Sequence, residues 1–311
     1  MECRICHNAE NNSEAIFTEF SMGLHEDFRY FRCSRCGCVQ IAEEPADMSR
    51  YYSSDKYYSF NRLQAYKNRS FKERWIDDHF FRYVFWKRGK IGALLYLKEV
   101  KSSLSWVYKL RWNPESSILD VGCGDGRLLY IMRDCGFKDL TGADPFIEKE
   151  VHDGNLSIQK KTLDQIDRKF DVIMLHHSME HVFDQNKLVR SIYKVLNDDG
   201  IAIIRLPLFS DFMYQKFGQY VQSLDPPRHF YLHTLDSITL LFANANLQAV
   251  EIWQDPYIEG FIASEKIRSE ETGTPQTPWQ KMLPVFRNMC DKYKSDCYTF
   301  VVQKKPDVRP L

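Results

Sequence analysis

The sequence predicts an α/β protein: a doubly wound, mostly parallel sheet of seven strands, preceded by a small cysteine-bearing module. Three observations predict it. Short apolar runs alternate with stretches of helical periodicity from Ser117 onward. A turn carrying Gly122, Gly124 and Gly126 follows the first of those runs directly. Two Cys-x-x-Cys pairs stand at the front of the chain.

The front pairs are Cys3 with Cys6 in CRICH and Cys33 with Cys36 in CSRCG. Each knuckle can turn two thiolates toward one ion, and two knuckles make the tetrahedral four-sulfur site that zinc prefers. The segment between them has room for a few short strands, so residues 1–48 read as a zinc-ribbon-like module. Four protein ligands leave no open position, so this zinc is expected to be structural. His7 and Cys38 beside the knuckles are read as bystanders. Disulfides are the alternative, and an expected reducing compartment argues against them.

Residues 49–114 read as an aromatic-rich helical linker or cap. Tyr57, Tyr58, Phe60, Trp75, Phe85, Trp86 and Trp112 are among its rings, with Arg74, Arg82, Lys87 and Arg88 interleaved. Such a surface could stack nucleic-acid bases. Helices packing aromatic faces while Lys and Arg stems reach solvent is the preferred reading. Lys+Arg and Asp+Glu are equal at 42 each, so no overall field draws a polyanion, and nucleic acid is not the expected partner.

Residues 115–311 supply the sheet. Ile118–Val121 is its first strand, Arg127–Cys135 a helix, and FKDLTGADP a strand ending at Asp144. LSIQ and FDVIML follow as strands, then a helix bearing Leu188, Ile192, Val195 and Leu196. After IAIIRLP come a substrate insert at about 207–234, a helix through Leu241, and the strand AVEIW. Polar Ser269–Pro278, within a segment 257–279, reads as a lid or loop before a helix from Trp279 and the strand CYTFVVQ.

The glycine turn selects among ligands. A dinucleotide turn needs G-x-G-x-x-G, but the third position here is Arg127. Asp120 before the turn would repel a pyrophosphate and suits an ammonium group. Asp144, at the end of the second strand, suits a ribose diol. Ammonium plus adenosine ribose without phosphate describes S-adenosylmethionine.

LDVGCGDG, GADP, FDVIMLHHSMEHV and VLNDDGIAIIRLP, in that order, resemble the class I S-adenosylmethionine-dependent methyltransferases over about Ser117–Val302. With the zinc knuckles and FGQYVQSLDPPRHFYLHT, the chain further resembles a bacterial small-molecule branch associated with polysaccharide biosynthesis. The resemblance implies that Asp120 faces the methionine ammonium, that Gly122 and Gly124 admit the donor, and that Asp144 holds the ribose. Asp164 or its neighbours Thr162 and Leu163 would border the adenine, and Cys123 and His176 complete the donor set.

LHHSMEHVFD follows the fourth strand. His177, Glu180 and His181 have i, i+3, i+4 spacing, and His229 lies on the insert. One reading makes these four residues a divalent metal site that lowers the acceptor's pKa. The other makes His177, His181 or His229 a metal-free general base. Arg228 could hold an acceptor anion or form a structural ion pair.

The expected function is methyl transfer to a small-molecule acceptor, foremost O-methylation of a sugar or glycan precursor. C-methylation of a nucleotide-linked sugar and RNA methylation are the alternatives. The N-terminus lacks an apolar signal region, and no run approaches the roughly 20 residues of a membrane helix. The expected location is therefore cytoplasmic.

Overall fold

The computed structural model describes residues 1–52, 62–98, 105–255, 257–292 and 296–306; Tyr57, Tyr58 and Phe60 lie outside them. In chain order the described elements begin with β1 (Ser13–Thr18), β2 (Asp27–Arg32) and β3 (Val39–Ile41). Helices α1 (Arg62–Lys67), α2 (Phe71–Trp86), α3 (Lys90–Lys98) and α4 (Ser105–Lys109) follow. Next come β4 (Ser117–Val121), α5 (Arg127–Asp134), β5 (Asp139–Ala143), β6 (Val151–Asp153), β7 (Leu156–Gln159) and β8 (Phe170–His176). Then follow α6 (Gln185–Val195), β9 (Leu196–Pro207), α7 (Asp211–Phe217), β10 (Tyr231–Leu232), α8 (Leu235–Ala243) and β11 (Leu247–Gln254). The order ends with α9 (Ile258–Thr272), α10 (Trp279–Lys292) and β12 (Cys297–Lys304). No helix among the described residues is long and apolar enough to cross a membrane.

The chain divides into two compact units. One comprises Met1–Ser53, His177–Val189 and Arg205–Phe300; the other comprises Ser54–His176, Arg190–Ile204 and Val301–Leu311.

In the second unit the strand order is β12-β9-β8-β4-β5-β7-β6. β4 pairs parallel with β5 and β8, and β5 pairs parallel with β7. Ile118, Leu119, Ile173 and Met174 are fully buried, which is why β4 and β8 read as unbroken apolar runs rather than alternating ones. Among the described residues the large sheet has eight strands rather than the expected seven. The extra one, β6, is a three-residue antiparallel edge with two exposed polar residues, so no apolar pattern marks it. Helix α2 starts on a capping box of Ser70 and Glu73. Its last turn presents Phe85 and Trp86 to Phe137 at ring-centroid separations of 5.2 and 5.0 Å. Trp86 Nε1 donates to the Cys135 carbonyl at 2.9 Å, so these rings pack as core.

In the first unit β1, β2 and β3 form an antiparallel sheet, and β10 from the insert extends it. Tyr231 pairs with Gln40 and Leu232 with Val39. β9 and β12 run on into this unit, where β11 lies beside β12. The stretch read as a loop from Ser269 is helical through Thr272. Buried Glu265 anchors the following turn, accepting from Thr277 N at 2.8 Å and pairing with Arg268 at 2.9 Å.

Candidate functional site

The glycine turn of the second unit joins β4 to α5. Gly122, Gly124 and Gly126 all have left-handed φ, at 73°, 55° and 78°, where a side chain would be strained. At Gly126 a Cβ would also strike Ile158 of β7. The close helix–sheet approach that the dinucleotide pattern assigns to its third glycine is therefore served one residue before Arg127. Gly142 on β5 admits the Cys123 side chain, since a Cβ there would lie 2.6 Å from its sulfur.

Asp144 braces the turn. One carboxylate oxygen accepts from Gly124 N and the other from Phe146 N, both at 2.9 Å. Burial raises its pKa, against the pull of those two N–H groups. Asp120 is 4% exposed; burial, then the neighbouring Asp144 charge, push its carboxyl up to about 8. A cation beside Asp120 would reverse that shift. Cys123 is a largely buried thiol that burial pushes up, not a reactive one. Thr162 caps a short 3₁₀ turn with Gln165, and Leu163 is buried beneath it. The His176 ring lies 4.2 Å from that of Trp106. Phe146, missed in the sequence, stands half exposed two residues beyond Asp144, where a base could stack.

The histidine cluster belongs to the first unit. Glu180 and His181 sit on a 3₁₀ turn, Met179–His181, and His229 on the insert. Phe230 N donates to the Glu180 carbonyl at 2.9 Å, and Tyr30 Oη donates to the His229 carbonyl at 2.9 Å, which locks the two segments together. His181 Nδ1 donates to the Arg228 carbonyl at 2.9 Å, and His229 Nδ1 to the Ser223 carbonyl at 2.7 Å. A carbonyl can only accept, so each ring donates from Nδ1, and its Nε2 is bare whenever the ring is neutral. His229 Nε2 lies 4.0 Å from Glu180 Oε1, and His177 Nδ1 lies 3.6 Å from it. Burial, then His229, hold His181 down at about 4. Burial opposes the Glu180 charge, but His177, His229 and His181 hold its carboxyl down at about 2. His177 has φ 51°, a strained conformation for a histidine, and its N–H donates to the Arg205 carbonyl at 2.8 Å.

Arg228 donates to buried Asp225 at 2.8 Å, so it is engaged within the protein. The sequence reading also passed over Tyr52, whose hydroxyl is 3.2 Å from His181 Nδ1, and buried His233, bonded to Gln185 and Ser237. No local spacing signals the Tyr52–His181 or His233–Gln185 contacts, because those partners are remote in sequence.

The front cysteines converge. Cys3 and Cys36 sulfurs are 3.6 Å apart, and those of Cys6 and Cys33 are 3.5 Å apart. All four lie within 4.8 Å of one another, and none is in a disulfide. Zinc–sulfur bonds of about 2.3 Å in a tetrahedron separate sulfurs by about 3.8 Å, so the residues fit zinc. Gln40 Nε2 donates to Cys3 Sγ at 2.9 Å, and Cys36 N to Cys33 Sγ at 3.5 Å, as thiolates require. His7 is exposed on Glu2, and Cys38 is buried away from the cluster's ligand set.

A family profile described as methyltransferase domain matches residues 95–252. The chain is 27% identical over 136 residues to a tRNA U34 carboxymethyltransferase of Nautilia profundicola, covering 38% of this chain and 45% of that one. It is 28% identical over 134 residues to the mitochondrial ubiquinone biosynthesis O-methyltransferase of Saccharomyces cerevisiae, covering 36% and 41%. The chain thus spans less than half the length of these curated relatives. Among solved structures it is similar to mycolic acid cyclopropane synthase CmaA1 complexed with SAH and CTAB, at TM-score 0.46 and 14% identity, covering 74% of this chain and 95% of that one. It is also similar to Burkholderia thailandensis 1,6-didemethyltoxoflavin-N1-methyltransferase, at TM-score 0.40 and 12% identity, covering 88% and 97%.

Proposed function

Since the chain belongs to the methyltransferase-domain family of S-adenosylmethionine-dependent enzymes, we propose that it methylates a hydroxyl of a small molecule such as a sugar or glycan precursor. Asp120 takes the donor's ammonium group, Asp144 its ribose, and the turn from Gly122 to Gly124 admits it; Thr162, Leu163, Cys123 and His176 border it. The front cysteines hold a structural zinc. The observation that supports a hydroxyl acceptor is the pair of Nδ1-tied histidines beside Glu180. A neutral hydroxyl is a weak nucleophile, and this cluster supplies what it lacks, a means of removing its proton. As oxygen attacks the methyl carbon, the sulfur–carbon bond breaks and sulfur keeps the electron pair, leaving S-adenosylhomocysteine.

The test incubates the protein with methyl-labelled S-adenosylmethionine and a small-molecule extract, then separates the products. Label on a hydroxyl, abolished by His181→Ala with S-adenosylhomocysteine binding retained, is expected. Label on nitrogen or carbon overturns the hydroxyl reading.

One observation favours a second reading, an RNA acceptor. The second unit holds a cavity of about 820 Å³ lined by Arg82, Lys87, Arg88, Arg111, Trp86 and Trp112, among others. It lies near Pro114 and Gly136, at the amino ends of β4 and β5, opposite the glycine turn. Cations and rings there suit a phosphate backbone with stacked bases, and one relative is named for tRNA.

A further inference from the structure

Glu180 is a carboxylate that the fold buries completely and leaves without a hydrogen bond. Its exposure is 0%, and among the described residues neither oxygen has a partner within hydrogen-bond distance. A charged group in that position demands a cation. The nearest candidates, His177 and His229, stand 3.6 and 4.0 Å away, too far for hydrogen bonds. Arg228 is turned to Asp225 and Arg205 to Asp255, so neither arginine supplies the charge.

We propose that Glu180, His181 and His229 bind one divalent first-row transition-metal ion, through one carboxylate oxygen and two Nε2 atoms. Each histidine donates its Nδ1–H to a backbone carbonyl, the outer contact that orients a metal-binding imidazole. A carboxylate oxygen of Glu180 and one ring nitrogen from each histidine lie within 4.8 Å of one another, and His229 Nε2 is 4.0 Å from Glu180 Oε1. Bonds of about 2.0–2.2 Å to a shared ion span separations up to about 4.4 Å, which small side-chain adjustments reach. Two imidazoles select against magnesium and calcium, which take oxygen ligands. A general base needs one bare lone pair; this cluster holds two beside a buried anion, which is a ligand set.

Three protein ligands leave positions open. An acceptor oxygen entering one would ionise at lower pH, giving its proton to a base such as His177 or to solvent. Occupancy stands on the cluster alone, whereas this role rests on the hydroxyl methylation proposed above.

The experiment titrates Mn²⁺ into the full chain carrying its cysteine-bound zinc and follows free Mn²⁺ by electron paramagnetic resonance. Thiolates disfavour Mn²⁺, so the readout reports the histidine site and not the cysteines. One equivalent bound by the native chain is expected, weakened by a factor on the order of 100 or more in Glu180→Gln and His229→Gln. Zinc content and S-adenosylhomocysteine affinity, measured on each variant, show that it is folded. The proposal is overturned if folded native protein leaves millimolar Mn²⁺ free and takes up no second equivalent of Zn²⁺. It is equally overturned if both folded variants bind Mn²⁺ as the native chain does. Native protein that binds Mn²⁺ but not S-adenosylhomocysteine would overturn the proposed function and leave the metal site standing.

Discussion

Asp120 lies near the carboxyl end of β4, opposite Gly142 of β5, with the charge of Asp144 nearby, and its carboxyl is pushed up to about 8. The folded value exceeds the ordinary 3.8, so the contribution of this group to stability is complete below about pH 4 and is lost as pH rises through about 8. Thermal unfolding of the donor-free chain should show that decline, and Asp120→Asn should flatten it. An ammonium ligand pairs with the ionised form, so donor affinity of the native chain should rise with pH up to about 8. The same variant should weaken donor binding by about 1.5–3 kcal/mol, the worth of a hydrogen bond to a charged group. Calorimetric titration with S-adenosylhomocysteine checks both; unchanged affinity in Asp120→Asn would remove this residue from the donor site. Gly126 makes a related point about legibility. Its motif position suggested a missing third glycine, whereas the contact with Ile158 shows the packing role displaced by one residue.

At the scale of elements, the cysteine knuckles and the histidine cluster share a unit through β3 and β10. If the four cysteines hold zinc as proposed, its removal should reach beyond residues 1–48. Losing the ion frees the knuckles, loosens β3, and with it β10, two residues after His229, whose carbonyl Tyr30 holds. Chelation, or Cys36→Ser, is expected to lower the thermal midpoint and methyl transfer, with S-adenosylhomocysteine affinity preserved in the other unit. Circular dichroism and calorimetry on the same sample read both, and activity unaffected by zinc loss would contradict the expectation. Long strands such as β4 and β8 were legible because burial on both faces writes itself as an unbroken apolar run. The two-residue β10 and three-residue β6 were not, since their pairing is set by partners far along the chain. Helix α9 was hidden because its C-terminal turn is polar and exposed, and propensity there is weak.

For the whole molecule the equality of 42 basic and 42 acidic residues gives no net field. A small-molecule acceptor should accordingly show KM values that vary little with salt between about 50 and 200 mM. RNA bound by the cationic cavity at Arg82, Lys87, Arg88 and Arg111 would lose affinity steeply over that range, by about tenfold or more for several phosphate contacts. Filter binding of RNA across a salt series separates the two acceptors. By itself the sequence determined the methyltransferase fold and marked the front cysteines and His177, Glu180, His181 and His229 as candidate ligands. The glycine turn, the paired knuckles and the His-x-x-Glu-His run are local patterns, and local spacing is dictated by backbone geometry. Only the tertiary structure decided that His229 joins Glu180 and His181, that Arg228 is spent on Asp225, and that the insert extends the sheet of β1, β2 and β3. Those outcomes depend on which distant segments share a core, and burial energy summed over the whole chain, not any single stretch of it, selects that arrangement.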